Sequence, residues 1–188
     1  MKKTAAIGNT LFIYLIALLP VLLFTYGKNS ITSFVWEHLF FNNIFVPLGF
    51  ILLFGIGMYI VNIFVIIKAS RGQWNVQELA RTNMLVKIIQ IPAYVIVFVM
   101  GLLCCVMIFT IGISFALMAL DMFSIGLTGM FACAAFYRLR KERLITPKMQ
   151  ALYSLASFLF CADVIIAVIG YRMSQQQGMS ASGQKTLP

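Results

Sequence analysis

Residues Ile88–Tyr137 read IIQIPAYVIVFVMGLLCCVMIFTIGISFALMALDMFSIGLTGMFACAAFY. These 50 consecutive residues contain no Lys or Arg and a single acid, Asp121. As one helix the stretch would be about 75 Å long, more than twice the roughly 30 Å of a bilayer's hydrocarbon core. It therefore reads as two membrane spans joined by a tight turn. The turn falls best at Thr110-Ile111-Gly112-Ile113-Ser114, where Gly112 accepts dihedrals that other residues resist. The two spans are then about Ile88–Phe109 and Ile113–Tyr137.

Working outward, three further apolar runs are long enough to cross: Ala5–Tyr26, Ile44–Ile67 and Met149–Tyr171. A span needs about 20 mostly apolar residues. The expected fold is thus all-α, a polytopic transmembrane helical bundle of five spans over residues 1–171, followed by a polar tail, 172–188. Composition agrees: 62% of the residues are hydrophobic, 10% are charged, and mean hydropathy is +0.97. Soluble domains are about 45–50% apolar and about 25% charged. Lys2 and Lys3 before the first run would also suit a secretory leader. The run is longer than a leader's apolar core, however, and Leu23-Phe24-Thr25-Tyr26-Gly27 offers no small-x-small cleavage site, so it reads as an uncleaved anchor.

The net charge is +9. Its placement in short clusters between apolar runs argues for membrane topology and against nucleic acid, which would call for a basic face. Lys2, Lys3, Lys68, Arg71, Arg81, Lys87, Arg138, Arg140, Lys141, Arg143 and Lys148 fall on one side of a five-span layout; Lys28, Arg172 and Lys185 fall on the other. Positive residues gather on the cytosolic side. The N-terminus is therefore expected inside, the C-terminus outside, and the location a plasma (inner) membrane.

Several local features refine this plan. Asn75 with Glu78 is a helix-start pattern ahead of the third span, and Pro92 inside it predicts a kink. Between the first two spans, Phe34-Val35-Trp36 and Leu39-Phe40-Phe41 predict a short helix lying on the interface. The tail, rich in Ser, Gln and Gly, is expected to be disordered. Cys104, Cys105, Cys133 and Cys161 sit in apolar runs without metal-ligand or redox spacing, so they read as packing residues. No cofactor, metal or catalytic motif is present, and the single histidine is His38.

Polar groups inside the spans are the candidate functional residues. A charge at the centre of a span costs about 2.5–3.5 kcal/mol on insertion scales and faces the bundle interior. Asp121 and Asp163 each lie eight residues from the outer end of their spans, about 12 Å deep at 1.5 Å per residue. Asp121, Ser124, Thr128 and Ala132 form one stripe of small or polar residues; Ala156, Asp163, Ala167 and Gly170 form another. No Lys, Arg or His is expected at that depth, the nearest being Arg172, Lys28 and His38. The acids read either as hydrogen-bonded packing groups or as a pair binding a proton or cation on a transport path. Asn9, Asn62 and Gln90 fall at similar depth on the first three spans and are expected to bridge helices. Arg138, Arg140, Lys141 and Arg143 form a basic loop able to attract anionic lipid head groups.

The segment Asn83-Met84-Leu85-Val86-Lys87-Ile88-Ile89-Gln90-Ile91-Pro92-Ala93-Tyr94 looks similar to the central part of small, uncharacterised multi-span bacterial membrane proteins. The resemblance implies a membrane location and no activity. Two function classes follow. One is a non-catalytic accessory or scaffold subunit, partnered by another membrane protein or by a second copy. The other is a small proton- or cation-coupled transporter or channel component built on the Asp pair.

Overall fold

The structure is a computed structural model that describes residues 2–25, 30–106, 111–159 and 162–183. Every regular element among them is helical: α1 (Lys2–Thr25), α2 (Ser30–Phe34) continued by a π-helical turn (Val35–Leu39), α3 (Phe45–Ser70), α4 (Val76–Val106), α5 (Ile111–Lys141), α6 (Pro147–Ala156) and α7 (Ala162–Gly183). Among the described residues four helices, α1, α3, α4 and α5, are long and apolar enough to cross a membrane.

These four run alternately up and down. Ala5 near the start of α1 shares an apolar cluster with Val65 and Ala69 at the end of α3, Leu79 near the start of α4 and Phe131 and Ala135 late in α5. At the opposite end Leu19, Ile51, Val97 and Leu117 belong to a second cluster. In its first half α5 buries Leu117, Leu120 and Ser124. From Leu127 to Leu139 it is buried on almost every side, so α5 is the central helix at the Lys2 end of the bundle.

The sequence explains the ends of these elements. Asn75 Oδ1 accepts the Gln77 backbone N–H at 3.0 Å and so starts α4. This side-chain oxygen satisfies one of the donors that every helix start leaves open. α3 ends before Gly72, whose φ of +80° belongs to the left-handed region that lacks a penalty only for glycine. Thr146 caps α6 by accepting from the Met149 N–H, with Pro147 in the first position, where its missing N–H is harmless. Pro92 lies within an otherwise continuous α4, and the Tyr14 hydroxyl donates to Ile89 O at 2.9 Å in the turn that the proline ring loosens. The segment after α1 is helical as expected; Trp36 is buried and its Nε1 donates to Leu22 O at 3.1 Å, tying α2 and its π-helical turn to α1.

The structure departs from the five-span plan after residue 147. The expected fifth span, 149–171, is two helices. α6 climbs along α5 with Tyr153 against Phe136, and a Cβ on Gly129 would meet the Phe158 ring. α7 then descends the same helix, because a Cβ on Gly170 would meet Phe136 and Leu139. Ile166 and Met173 join a cluster with Val76, Leu139 and Ile145 at the Lys2 end. The reversal begins with shortened i→i+3 bonds, Phe158 N–H to Leu155 O and Leu159 N–H to Ala156 O, both 3.1 Å. Ser157 Oγ adds a donation to Tyr153 O at 2.8 Å. α6 and α7 thus form a helical hairpin whose tip lies part-way up the bundle. The polar stretch expected to be a disordered tail continues α7 as far as Gly183; once a helix is nucleated, each added residue gains a bond at little further cost.

The turn expected at 110–114 lies partly outside the described residues. Thr110 is beyond them, and Gly112 already belongs to α5. Lys28, Cys161 and Lys185 also lie outside the described residues.

Candidate functional site

The hairpin tip delivers Asp163, the second residue of α7, into the bundle. There its Oδ2 accepts from Lys87 Nζ of α4 at 2.6 Å. Lys87 Nζ also donates to Thr128 Oγ1 of α5 at 2.6 Å. The Lys87 side chain is 0% exposed and that of Asp163 5%. Two opposite charges removed from water at such cost persist only when they are paired and hydrogen-bonded. Asp163 has a second source of stabilisation: it lies in the first turn of α7, where the orphan N–H groups of the helix end favour an anion.

The expectation that no cation lies at the depth of the acids is therefore corrected. Lys87 was assigned to the inner border of its span, yet it sits eleven residues into α4 on a buried seam with Asn83, Gln90 and Tyr94. Those positions follow helical spacing, i−4, i+3 and i+7, so they share one face. That polar seam was the signal in the sequence that could have found Lys87. The other cations named do not reach the pair. Arg172 is exposed on α7, and His38 stacks on Phe34 with ring centroids 4.3 Å apart.

The two acids are also not at one depth. Asp163 is level with Thr128, whereas Asp121 lies seven residues nearer the start of α5, a rise of about 10 Å. Asp121 is half-buried, and its Oδ1 has no hydrogen-bond partner among the described residues. The Tyr94 hydroxyl is in electrostatic reach of Asp121, Asp163, Ser124 and Thr128. The offset follows from the hairpin, since a straight fifth span would have carried Asp163 to the level of Asp121.

Next to the ion pair lies an amide cluster. Asn9 Nδ2 donates to Asn62 Oδ1 at 3.2 Å, and Asn62 Nδ2 donates back to Asn9 Oδ1 at 3.0 Å and to Leu127 O at 3.1 Å. Gln90 Nε2 donates to Asn9 O at 2.8 Å. The structure thus joins Asn9, Asn62 and Gln90, all at most 1% exposed, and through them α1, α3, α4 and α5. Amide and ion pair together form a polar belt across the core.

At the Lys2 end, Arg138, Arg140 and Lys141, expected in a basic loop, lie in the last turn of α5 and have internal duties. Arg138 is buried and its Nη2 donates to Glu142 Oε1 at 2.8 Å. Arg140 Nη1 donates to Gln150 Oε1 at 3.1 Å, and Lys141 Nζ to Ser70 O at 2.9 Å. Arg143 adopts φ +59° in the turn leading to α6. Cys104 is buried and Cys105 exposed, and among the described residues no group of His, Cys, Asp or Glu is arranged to hold a metal ion.

The chain matches no protein-family profile, no characterised protein and no solved structure.

Proposed function

We propose that this chain is a multi-span protein of the plasma membrane that works without catalysis, as an accessory or scaffold subunit partnered by another membrane protein or a second copy. One observation carries the reading: five buried polar side chains of the core, Asn9, Asn62, Lys87, Thr128 and Asp163, are committed to neighbouring helices. Asn9 with Asn62, and Lys87 with Asp163 and Thr128, lock five helices together. Such a belt fixes one arrangement of helices, as a rigid platform requires. The outward faces of α3 and α4 are apolar, with Phe50, Leu53, Ile60, Val95, Phe98 and Leu102 exposed to lipid or to a partner helix.

In this reading α1, α3, α4 and α5 cross the bilayer and the α6–α7 hairpin enters from the inner side and returns to it. Both termini then face the cytosol. The distribution of cations supports this, since Lys2, Lys3, Lys68, Arg71, Arg81, the Arg138–Lys148 cluster and Arg172 share the inner face, against Lys28 between the first two spans. Arg143 and Lys148 remain available to anionic lipid head groups at that face.

The test is ion flux in liposomes containing the purified chain, run beside cross-linking in intact membranes. A scaffold gives no proton or cation flux above lipid alone and a discrete cross-linked partner or dimer. Flux that disappears in the Asp121→Asn, Asp163→Asn double variant would overturn it in favour of a small proton- or cation-coupled transporter. That second reading is favoured by one observation, both acids lying in electrostatic reach of the buried Tyr94.

A further inference from the structure

A cleft of about 360 Å³ lies between the second half of α4 and the first half of α5, with Phe98, Leu102, Met118 and Met122 on its walls. Those four side chains are exposed, so the cleft faces the surrounding lipid. Its size falls within the range of about 300–1,000 Å³ typical of small-ligand sites. Three polar side chains reach it: Cys105, Ser114 and Asp121. Ser114 Oγ donates to Gly101 O at 3.0 Å, and Cys105 Sγ lies 2.9 Å from Ser114 Oγ, so those two satisfy each other and the backbone. Asp121 is different, with Oδ1 buried and unpartnered among the described residues.

We infer that this cleft is a binding site for an amphipathic amine, a molecule with one alkyl chain and a protonatable nitrogen that enters from the lipid and pairs with the Asp121 carboxyl. Charge complementarity selects the head group. Lys87, the buried lysine of the core, is held by Asp163 and Thr128 about two turns further along α5 and leaves Asp121 without a counter-ion. A carboxyl facing hydrocarbon is costly until it meets a cation or a strong donor. An ordinary acyl chain would fill the apolar walls and leave the half-buried Asp121 carboxyl at the cleft without a counter-charge, whereas an amphipathic amine fills the walls and supplies one. The site does not depend on the scaffold reading, since a scaffold and a transporter could each carry it.

The experiment uses the full chain in liposomes and two photoreactive probes, an alkylamine and the alkyl alcohol of equal chain length, with labelled peptides mapped by mass spectrometry. The expected result is labelling of the peptides carrying Phe98, Leu102, Met118 and Met122 by the amine at about tenfold the yield of the alcohol. Unlabelled dodecylamine competes it away, Asp121→Asn abolishes the preference, and Asp121→Glu keeps it. Gly101→Leu supplies an independent variant: Gly101 lines the cleft and a Cβ there meets nothing closer than Ser114 Oγ at 4.0 Å, so a leucine has room to occupy the cleft and should block labelling with Asp121 intact. Equal labelling by both probes, or amine labelling that survives Asp121→Asn and Gly101→Leu, would overturn the site.

Discussion

Lys87 carries the largest single consequence at the scale of residues. Replacing it with methionine keeps the volume and leaves Asp163 buried without a counter-ion. The expected loss is about 3–5 kcal/mol, read as a lower denaturation midpoint in mixed micelles. Removing both charges, as Lys87→Met with Asp163→Leu, should recover most of that loss; a double variant no more stable than the single one would show that charge is not what Lys87 provides. The amide cluster behaves similarly on a smaller scale. Asn62→Leu strips partners from Asn9 and from Leu127 O and is expected to cost about 1–3 kcal/mol. Adding Asn9→Leu should cost less than it does alone, because the two amides satisfy each other. The bridging amides were legible in the sequence, since polar side chains inside apolar spans have few alternatives to one another. The ion pair was not, because counting cations at span borders treats every such lysine as a surface group, and Lys87 lies within a turn of the border.

At the scale of elements, helix spacing depends on small residues in tight places. A Cβ on Gly55 of α3 would come within 2.5 Å of the Phe123 ring and 2.8 Å of the Phe12 ring, both held in the core. Gly57, two residues on, faces open space. Gly55→Val is therefore expected to destabilise by about 1–3 kcal/mol through overpacking, while Gly57→Val leaves the thermal midpoint in detergent close to wild type. The four long helices were readable because lipid leaves a spanning segment almost no choice but an apolar helix. The hairpin escaped that reading. Residues Ser157-Phe158-Leu159-Phe160-Cys161 contain neither glycine nor proline, and the apolar run passes through them without interruption. What turns the chain is tertiary: the Asp163 carboxylate is drawn to Lys87, and Gly129 and Gly170 leave room for the hairpin to lie on α5.

For the molecule as a whole, the proposed four-span reading makes the hairpin return the C-terminus to the cytosolic side. A fluorescent protein fused after Pro188 that folds only in the cytosol should light up, and a reporter active only outside should stay silent; the reverse pattern would restore a fifth span. The hairpin also has a bearing on how the chain is made. Asp163 follows Lys87 by 76 residues, so the ribosome delivers α4 long before its counter-ion exists. Throughout that interval the nascent bundle holds an ammonium group that can leave water only without its counter-ion. A chain halted after α5 never supplies the Asp163 carboxylate that pairs with this lysine. Completion of the last quarter of the polypeptide is thus what seals the first three.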